Sequence, residues 1–223
     1  MKISTYVEKI FNVGTQYYRP AGIRGRIAGN LMVQQHEPEN RWTVSLLNAE
    51  PTDHILEIGF GPGFSIQQLS TLVTRGHIAG IDYSQTMVRA ASKRNARAIK
   101  AGHVDLRYGE AAHLPFEDAS FDKVYSIHTL YFWLWSNAAE ELYFSRVFTE
   151  VHRVLKTDGI FCLTFMPREQ WPLGREGAPP TDTVVQWMTQ AGFANTHIDM
   201  GPEKKTFREI AVIGVKSSED LQQ

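Results

Sequence analysis

The chain has 223 residues, and its 43% hydrophobic content is enough for the core of one large domain, or of one domain with an appendage. A net charge of −1 at pH 7 excludes a surface that is basic throughout, and argues against a nucleic-acid partner. The one cysteine, Cys162, excludes an internal disulfide and a cysteine cage for a metal; it stands in the apolar run Ile160-Phe161-Cys162-Leu163, which predicts a buried, inert thiol.

No stretch approaches the ~18 continuous apolar residues of a spanning helix. Lys2 and Lys9 are not followed by the apolar segment of a secretory signal, so a cytoplasmic protein is expected. In chain order, Ile3, Tyr6, Val7, Ile10 and Phe11 recur at helical spacing. Gly14 and Pro20 punctuate, Ile23, Ile27, Leu31 and Met32 predict a second short helix, and Pro38 opens a third carrying Trp42, Val44, Leu46 and Leu47. Residues 1–36 hold Lys2, Lys9, Arg19, Arg24 and Arg26 against Glu8, so residues 1–50 read as a basic helical appendage. Residues 51–223 read as the main domain.

From residue 53 short apolar runs alternate with longer amphipathic ones. Strands are expected at 54–58, 77–81, 104–108, 123–127 and 160–165. Between them lie helices over 63–73, from the N-cap Ser84 through Ala91, and over 138–155. A helix over 181–191 precedes two strands, 196–200 and 209–215, joined by a short link. A short link makes no parallel crossover, so these two strands should be antiparallel neighbours. The expected fold is α/β: a doubly wound, Rossmann-like sheet of seven strands, mostly parallel with an antiparallel C-terminal strand, beside an N-terminal helical lid.

Ligands of open parallel sheets bind beyond the carboxyl ends of the strands, and the first such end carries Leu56-Glu57-Ile58-Gly59-Phe60-Gly61-Pro62-Gly63. A dinucleotide, a nucleotide phosphate or a nucleoside-bearing sulfonium would each use a glycine-rich turn there. The spacing G-x-G-x-G departs from the dinucleotide G-x-G-x-x-G, and a carboxylate at Glu57 would repel a pyrophosphate while accepting hydrogen bonds from an ammonium group or waters. Asp82 ends the second strand, where an acid can take both ribose hydroxyls; oxidoreductases using NAD place an acid there too.

Further on, Gly109-Glu110-Ala111-Ala112-His113-Leu114-Pro115-Phe116 is followed by Ser120-Phe121-Asp122, and Arg153-Val154-Leu155-Lys156-Thr157-Asp158-Gly159 ends the long helix. With these, residues 50–166 resemble the class I S-adenosylmethionine-dependent methyltransferases, in particular the group containing the ubiquinone and menaquinone biosynthesis enzymes. Thr157 and Asp158 replace the usual proline and glycine of that group. The resemblance implies S-adenosylmethionine as cofactor. Gly59, Phe60, Gly61 and Gly63 would form the loop against its methionine portion, and Glu57 would organise its amino group. Asp82 would hold the ribose diol, Tyr83 and Met87 would pack on the adenine, and Glu110 and the Ala111 N–H would face the adenine amine. Met87 reads equally well as a helix core residue.

Ser126, Ile127 and His128 end the fourth strand, beside the expected position of the transferable methyl. His128 is the first candidate for a general base, with packing under the cofactor as the plainer role. The other seven histidines show no metal-ligand spacing and read as structural, and no metal is expected. Tyr17 and Tyr18 in the basic appendage are candidates to close on the cofactor. The aromatic run Leu130-Tyr131-Phe132-Trp133-Leu134-Trp135 would suit an apolar or planar acceptor, Phe132 and Trp135 reading more readily as core; residues 171–180 would form a rim loop. The expected partner is a small-molecule acceptor of a monomer or homodimer. A lipid or prenylated acceptor at a membrane surface is the variant, and an NAD-dependent oxidoreductase or a non-catalytic cofactor-binding protein the alternatives of another class.

Overall fold

A computed structural model describes Gly22 and residues 36–133, 140–167, 179–204 and 207–217. Residues 36–46 are helical (α1). After them come β1 (His54–Ile58), α2 (Phe64–Leu69), β2 (His77–Asp82), α3 (Gln85–Arg94), α4 (Ala96–Lys100), β3 (Val104–Tyr108) and β4 (Phe121–Ile127). The chain continues through α5 (Leu130–Trp133), α6 (Glu140–Val154), β5 (Leu155–Phe165), α7 (Thr181–Gln190), β6 (Phe193–Lys204) and β7 (Phe207–Lys216).

All seven strands form one sheet in the order β3-β2-β1-β4-β5-β7-β6. The first five pair in parallel, and β7 runs antiparallel between β5 and β6. The antiparallel strand is therefore internal, and β6 and β3 are the two edges. This insertion brings the start of β7 to the carboxyl ends of the parallel strands, with Ile210 opposite Phe165.

The sheet is doubly covered, so its strands are apolar on both faces. Leu56 and Ile58 of β1 face a core shared with Phe144, Val147, Phe148 and Val151 of α6 and with Val184 and Met188 of α7. Ile55 faces the other core, with Ile66 and Leu69 of α2, Ala91 of α3 and Val44 of α1. Leu47, just after α1, is wholly buried in that second core. Burying such a side chain stabilises by roughly 1.5–3 kcal/mol, so residues 36–50 are integral to the packing.

Most boundaries match the pattern reading, with instructive differences. The long helix stops at Val154 rather than near Gly159, because β5 begins at Leu155, opposite Phe121. Asp158, at φ 62°, then turns the chain before β5 resumes its pairing at Ile160. The helix after Ser84 divides at Asn95, whose amide donates to the carbonyls of Gly63 and Ala91, leaving α4 as a separate turn. Both C-terminal strands run longer than their apolar cores indicate.

Candidate functional site

The carboxyl ends of β1, β2 and β4 converge on the glycine loop. Its residues Gly59, Gly61 and Gly63 all have positive φ, at 76°, 52° and 75°. They do different things. A Cβ at Gly59 would stand 2.2 Å from Thr129 Cγ2, and one at Gly63 would meet Ala91 and Asn95, so these two permit close packing. A Cβ at Gly61 would meet nothing within 4 Å among the described residues. Gly61 thus borders open space while its backbone is held from behind, its N–H donating to Asp82 Oδ2 at 2.8 Å.

Asp82 Oδ1 accepts the Ser84 N–H at 2.8 Å, so this one carboxylate joins the glycine loop to the start of α3. Burial pushes its pKa up to about 6, against the lowering effect of those two amides. Two amide hydrogens still leave acceptor capacity on both oxygens.

Glu57 occupies the same region from inside the core. Ser65 Oγ lies 2.6 and 2.7 Å from its two oxygens, and the Tyr125 hydroxyl donates to Oε2 at 2.7 Å. Burial is the main cause of a pKa pushed up to about 7; the Asp82 charge adds to it, and the two hydroxyls oppose it. Glu57 thus holds the glycine loop to α2 and β4 through Ser65 and Tyr125. Spacing did not single out Ser65 or Tyr125, although a serine two residues after Gly63, at the start of a helix, carries the signal.

The remaining expected residues fall in several environments. Phe60 is buried against β2, where a Cβ on Gly80 would meet its ring at 2.7 Å, so it is a core residue. Met87 is buried at the start of α3 outside both main core clusters, and its N–H is capped by Ser84 Oγ. Tyr83, just after β2, is 46% exposed and stacks on Tyr108, the last residue of β3 and itself 48% exposed, with centroids 5.8 Å apart. Glu110 is exposed and Ala111 is buried, on a loop secured from α6. Arg153 donates to the carbonyls of Leu114 and Phe116 and pairs with Glu150 and Asp118. Ser126 is fully buried, its hydroxyl donating to the Ile58 carbonyl and meeting Thr129, which ties β4 to β1.

The aromatic run behind β4 departs from the wall expected of it. Tyr131 and Trp133 are buried, the Tyr131 hydroxyl donates to the Met166 carbonyl, and Trp133 packs on Phe144 and Phe148. Phe132 is partly buried against the same core. Of these rings Trp133 meets α6, and Tyr131 meets the chain just after β5. Trp135, Tyr17, Tyr18 and the segment from 171 to 178 lie outside the described residues.

His128 stands at φ 57°, immediately after β4, and its N–H donates to the Thr164 carbonyl. Its Nε2 lies 2.6 Å from Glu209 Oε1, and its ring meets the His36 ring edge-on at 4.6 Å. The helix α1 crosses here too, Thr43 Oγ1 donating to Thr164 Oγ1 at 3.1 Å. Glu209 and His36 had no signal in the pattern; only the insertion of β7 brings Glu209 to this end of the sheet. Cys162 is buried, and burial pushes its thiol up to about 12. Among the described residues no group of three or more His, Cys, Asp or Glu is arranged to hold a metal, and no helix is long and apolar enough to cross a membrane.

Residues 56–163 match the family described as the methyltransferase domain. A Bacillus subtilis protein named uncharacterized methyltransferase YdaC is 32% identical over 143 residues, covering 64% of this chain and 72% of the relative. A demethylmenaquinone methyltransferase of Alkalihalophilus pseudofirmus is 27% identical over 161 residues, 71% of this chain; that match spans 63% of the enzyme, less than two thirds. Among solved structures, a chain of the complex between the Haloferax volcanii Trm112 methyltransferase activator and a protein described as a methyltransferase superposes with a TM-score of 0.68. Identity to it is 19%, over 85% of this chain and 92% of that one, a likeness of fold.

Proposed function

Because the chain belongs to the class I S-adenosylmethionine-dependent methyltransferases, we propose that it moves the methyl group of S-adenosylmethionine to a small apolar or aromatic acceptor by in-line displacement. The observation that carries the cofactor assignment is the Gly61–Asp82 pair, an open glycine tethered to a carboxylate that retains acceptor capacity. Two carboxyl groups, Glu57 and Asp82, lie where a pyrophosphate would add like charge, and a ligand bearing positive charge would lower pKa values that burial has raised.

In this reading Gly59, Gly61 and Gly63 shape the loop against the methionine portion, and Glu57 fixes that loop from behind. Asp82 accepts the ribose hydroxyls. Tyr83 and Met87 pack on the adenine, with Glu110 and the Ala111 N–H at its amine, and Ser126 fixes the strand ends behind the site. When bound, the cofactor supplies a methyl group activated by a positive sulfur. The chain's own contribution is then to align the acceptor, exclude water, and take up a proton where the acceptor has one to lose. His128 would take up that proton, and Tyr17 and Tyr18, in the N-terminal segment, would close over the site.

The direct test is transfer of labelled methyl from S-adenosylmethionine into a metabolite extract, with products identified by mass spectrometry. A labelled small molecule that disappears in Asp82→Ala supports the reading. Label arriving only on macromolecules would remove the small-acceptor assignment.

A further inference from the structure

The pair His128–Glu209 joins the end of β4 to β7, and it is built at a cost. His128 takes a left-handed backbone conformation that side chains rarely adopt. Glu209 is fully buried, with Oε1 on the histidine and Oε2 without a hydrogen-bond partner among the described residues. A carboxylate there accepts and does not donate, so Nε2 must carry the proton between them. The one ring nitrogen left is Nδ1, which makes no hydrogen bond among the described residues, and the His128 side chain keeps 13% of its surface exposed. His36, whose Nδ1 stands 4.0 Å from Glu39 Oε1, packs edge-on against the same ring from α1.

We infer that Glu209 is a positioning residue that fixes His128 as the Nε2–H tautomer, presenting Nδ1 as a base to an acceptor whose reacting atom carries an acidic proton, such as an aromatic or enolic hydroxyl. The inference rests on the methyltransferase reading. In the step, the acceptor's bond to hydrogen breaks and its electron pair forms the bond to the methyl carbon. The proton goes to Nδ1, and the electron pair of the methyl–sulfur bond leaves with sulfur. Glu209 supplies the counter-charge for the resulting imidazolium and donates no proton. A carboxylate held on one ring nitrogen fixes both the tautomer and the orientation of the other.

Long-range proton–nitrogen spectra of the full-length, nitrogen-15-labelled protein at a pH where the ring is neutral test this without any acceptor. The His128 signals are those lost in His128→Gln. The wild type should give the Nε2–H pattern, Glu209→Gln should keep it because its amide oxygen still accepts, and Glu209→Ala should give a mixture of tautomers. An Nδ1–H pattern in the wild type, or an unchanged pattern in a folded Glu209→Ala, overturns the inference. If Glu209→Ala does not fold, Glu209→Gln decides by rate: transfer from S-adenosylmethionine to hydroxyarenes should fall at least about tenfold, with S-adenosylhomocysteine affinity unchanged. An unaltered rate, or transfer confined to thioethers and tertiary amines, overturns it. Loss of S-adenosylhomocysteine binding by the wild type would instead fail the methyltransferase reading and leave the tautomer result standing.

Discussion

The backbone N–H of Gly61 donates to Asp82 Oδ2 across 2.8 Å, so the glycine loop after β1 and the acid that ends β2 are one unit. Gly61 needs an anchor to hold its left-handed backbone against open space, and Asp82 needs an amide to remain ionised in a covered position.

The three glycines should respond differently to alanine. Gly59→Ala forces a methyl into Thr129 and adds backbone strain, so it should cost more than about 2 kcal/mol of stability. Gly61→Ala meets no atom of the described residues, so it should cost only roughly 1–2 kcal/mol from its backbone strain, while S-adenosylhomocysteine affinity falls more than stability does. Thermal melting alongside ligand titration checks both, and equal stability losses for the two variants would contradict the assignment of open space at Gly61.

Stability should fall as pH rises through the neutral range. Glu57 and Asp82 have pKa values raised to about 7 and about 6, so the folded state binds protons more tightly than the unfolded chain. Their favourable contribution is complete below the ordinary carboxylate range and is lost as pH passes 6 and then 7. For Glu57 the window from 4.5 to about 7 corresponds to something on the order of 3 kcal/mol. Melting temperature measured from pH 5 to pH 8 should decline, and Glu57→Gln should flatten the upper part of that decline. A wild-type profile that is level across the range would contradict the assignment of both groups.

The same linkage predicts that S-adenosylmethionine, a cation at its sulfur, binds with release of protons near pH 6.5. Calorimetry in buffers of different ionisation enthalpy reads that release directly. No proton exchange would mean that the carboxyl groups keep their protonation beside the ligand, and uptake would mean that binding neutralises them; either contradicts the prediction.

Arg153 secures the loop that carries Glu110 and Ala111, through two carbonyls and two carboxylates. Its neighbours are partly exposed, so Arg153→Ala should cost only about 1–2 kcal/mol in denaturant unfolding. The larger effect should be a weaker grip on S-adenosylhomocysteine, because the adenine-facing loop loses its anchor. An unaltered affinity would detach that loop from the adenine role.

Much of this was legible in residues alone. Glycine spacing, the acid at the end of β2 and the alternation of strand and helix specify a doubly wound sheet and the place of its site. What pattern cannot show is where side chains turn. Glu57 reads as ligand-facing from its position but is held inward by Ser65 and Tyr125, and Tyr131 reads as an acceptor wall but is wholly buried with its hydroxyl on the Met166 carbonyl. Glu209 is 81 residues from His128 in sequence, and only the insertion of β7 beside β5 brings them together.

Calorimetric titration with S-adenosylhomocysteine and with NAD, on the wild type and on Asp82→Ala, tests the central claim most directly. The wild type should bind S-adenosylhomocysteine and ignore NAD, and Asp82→Ala should lose at least about tenfold in affinity, as expected when a charged hydrogen-bond acceptor is removed, while remaining folded. Binding of NAD without any response to S-adenosylhomocysteine would contradict the account.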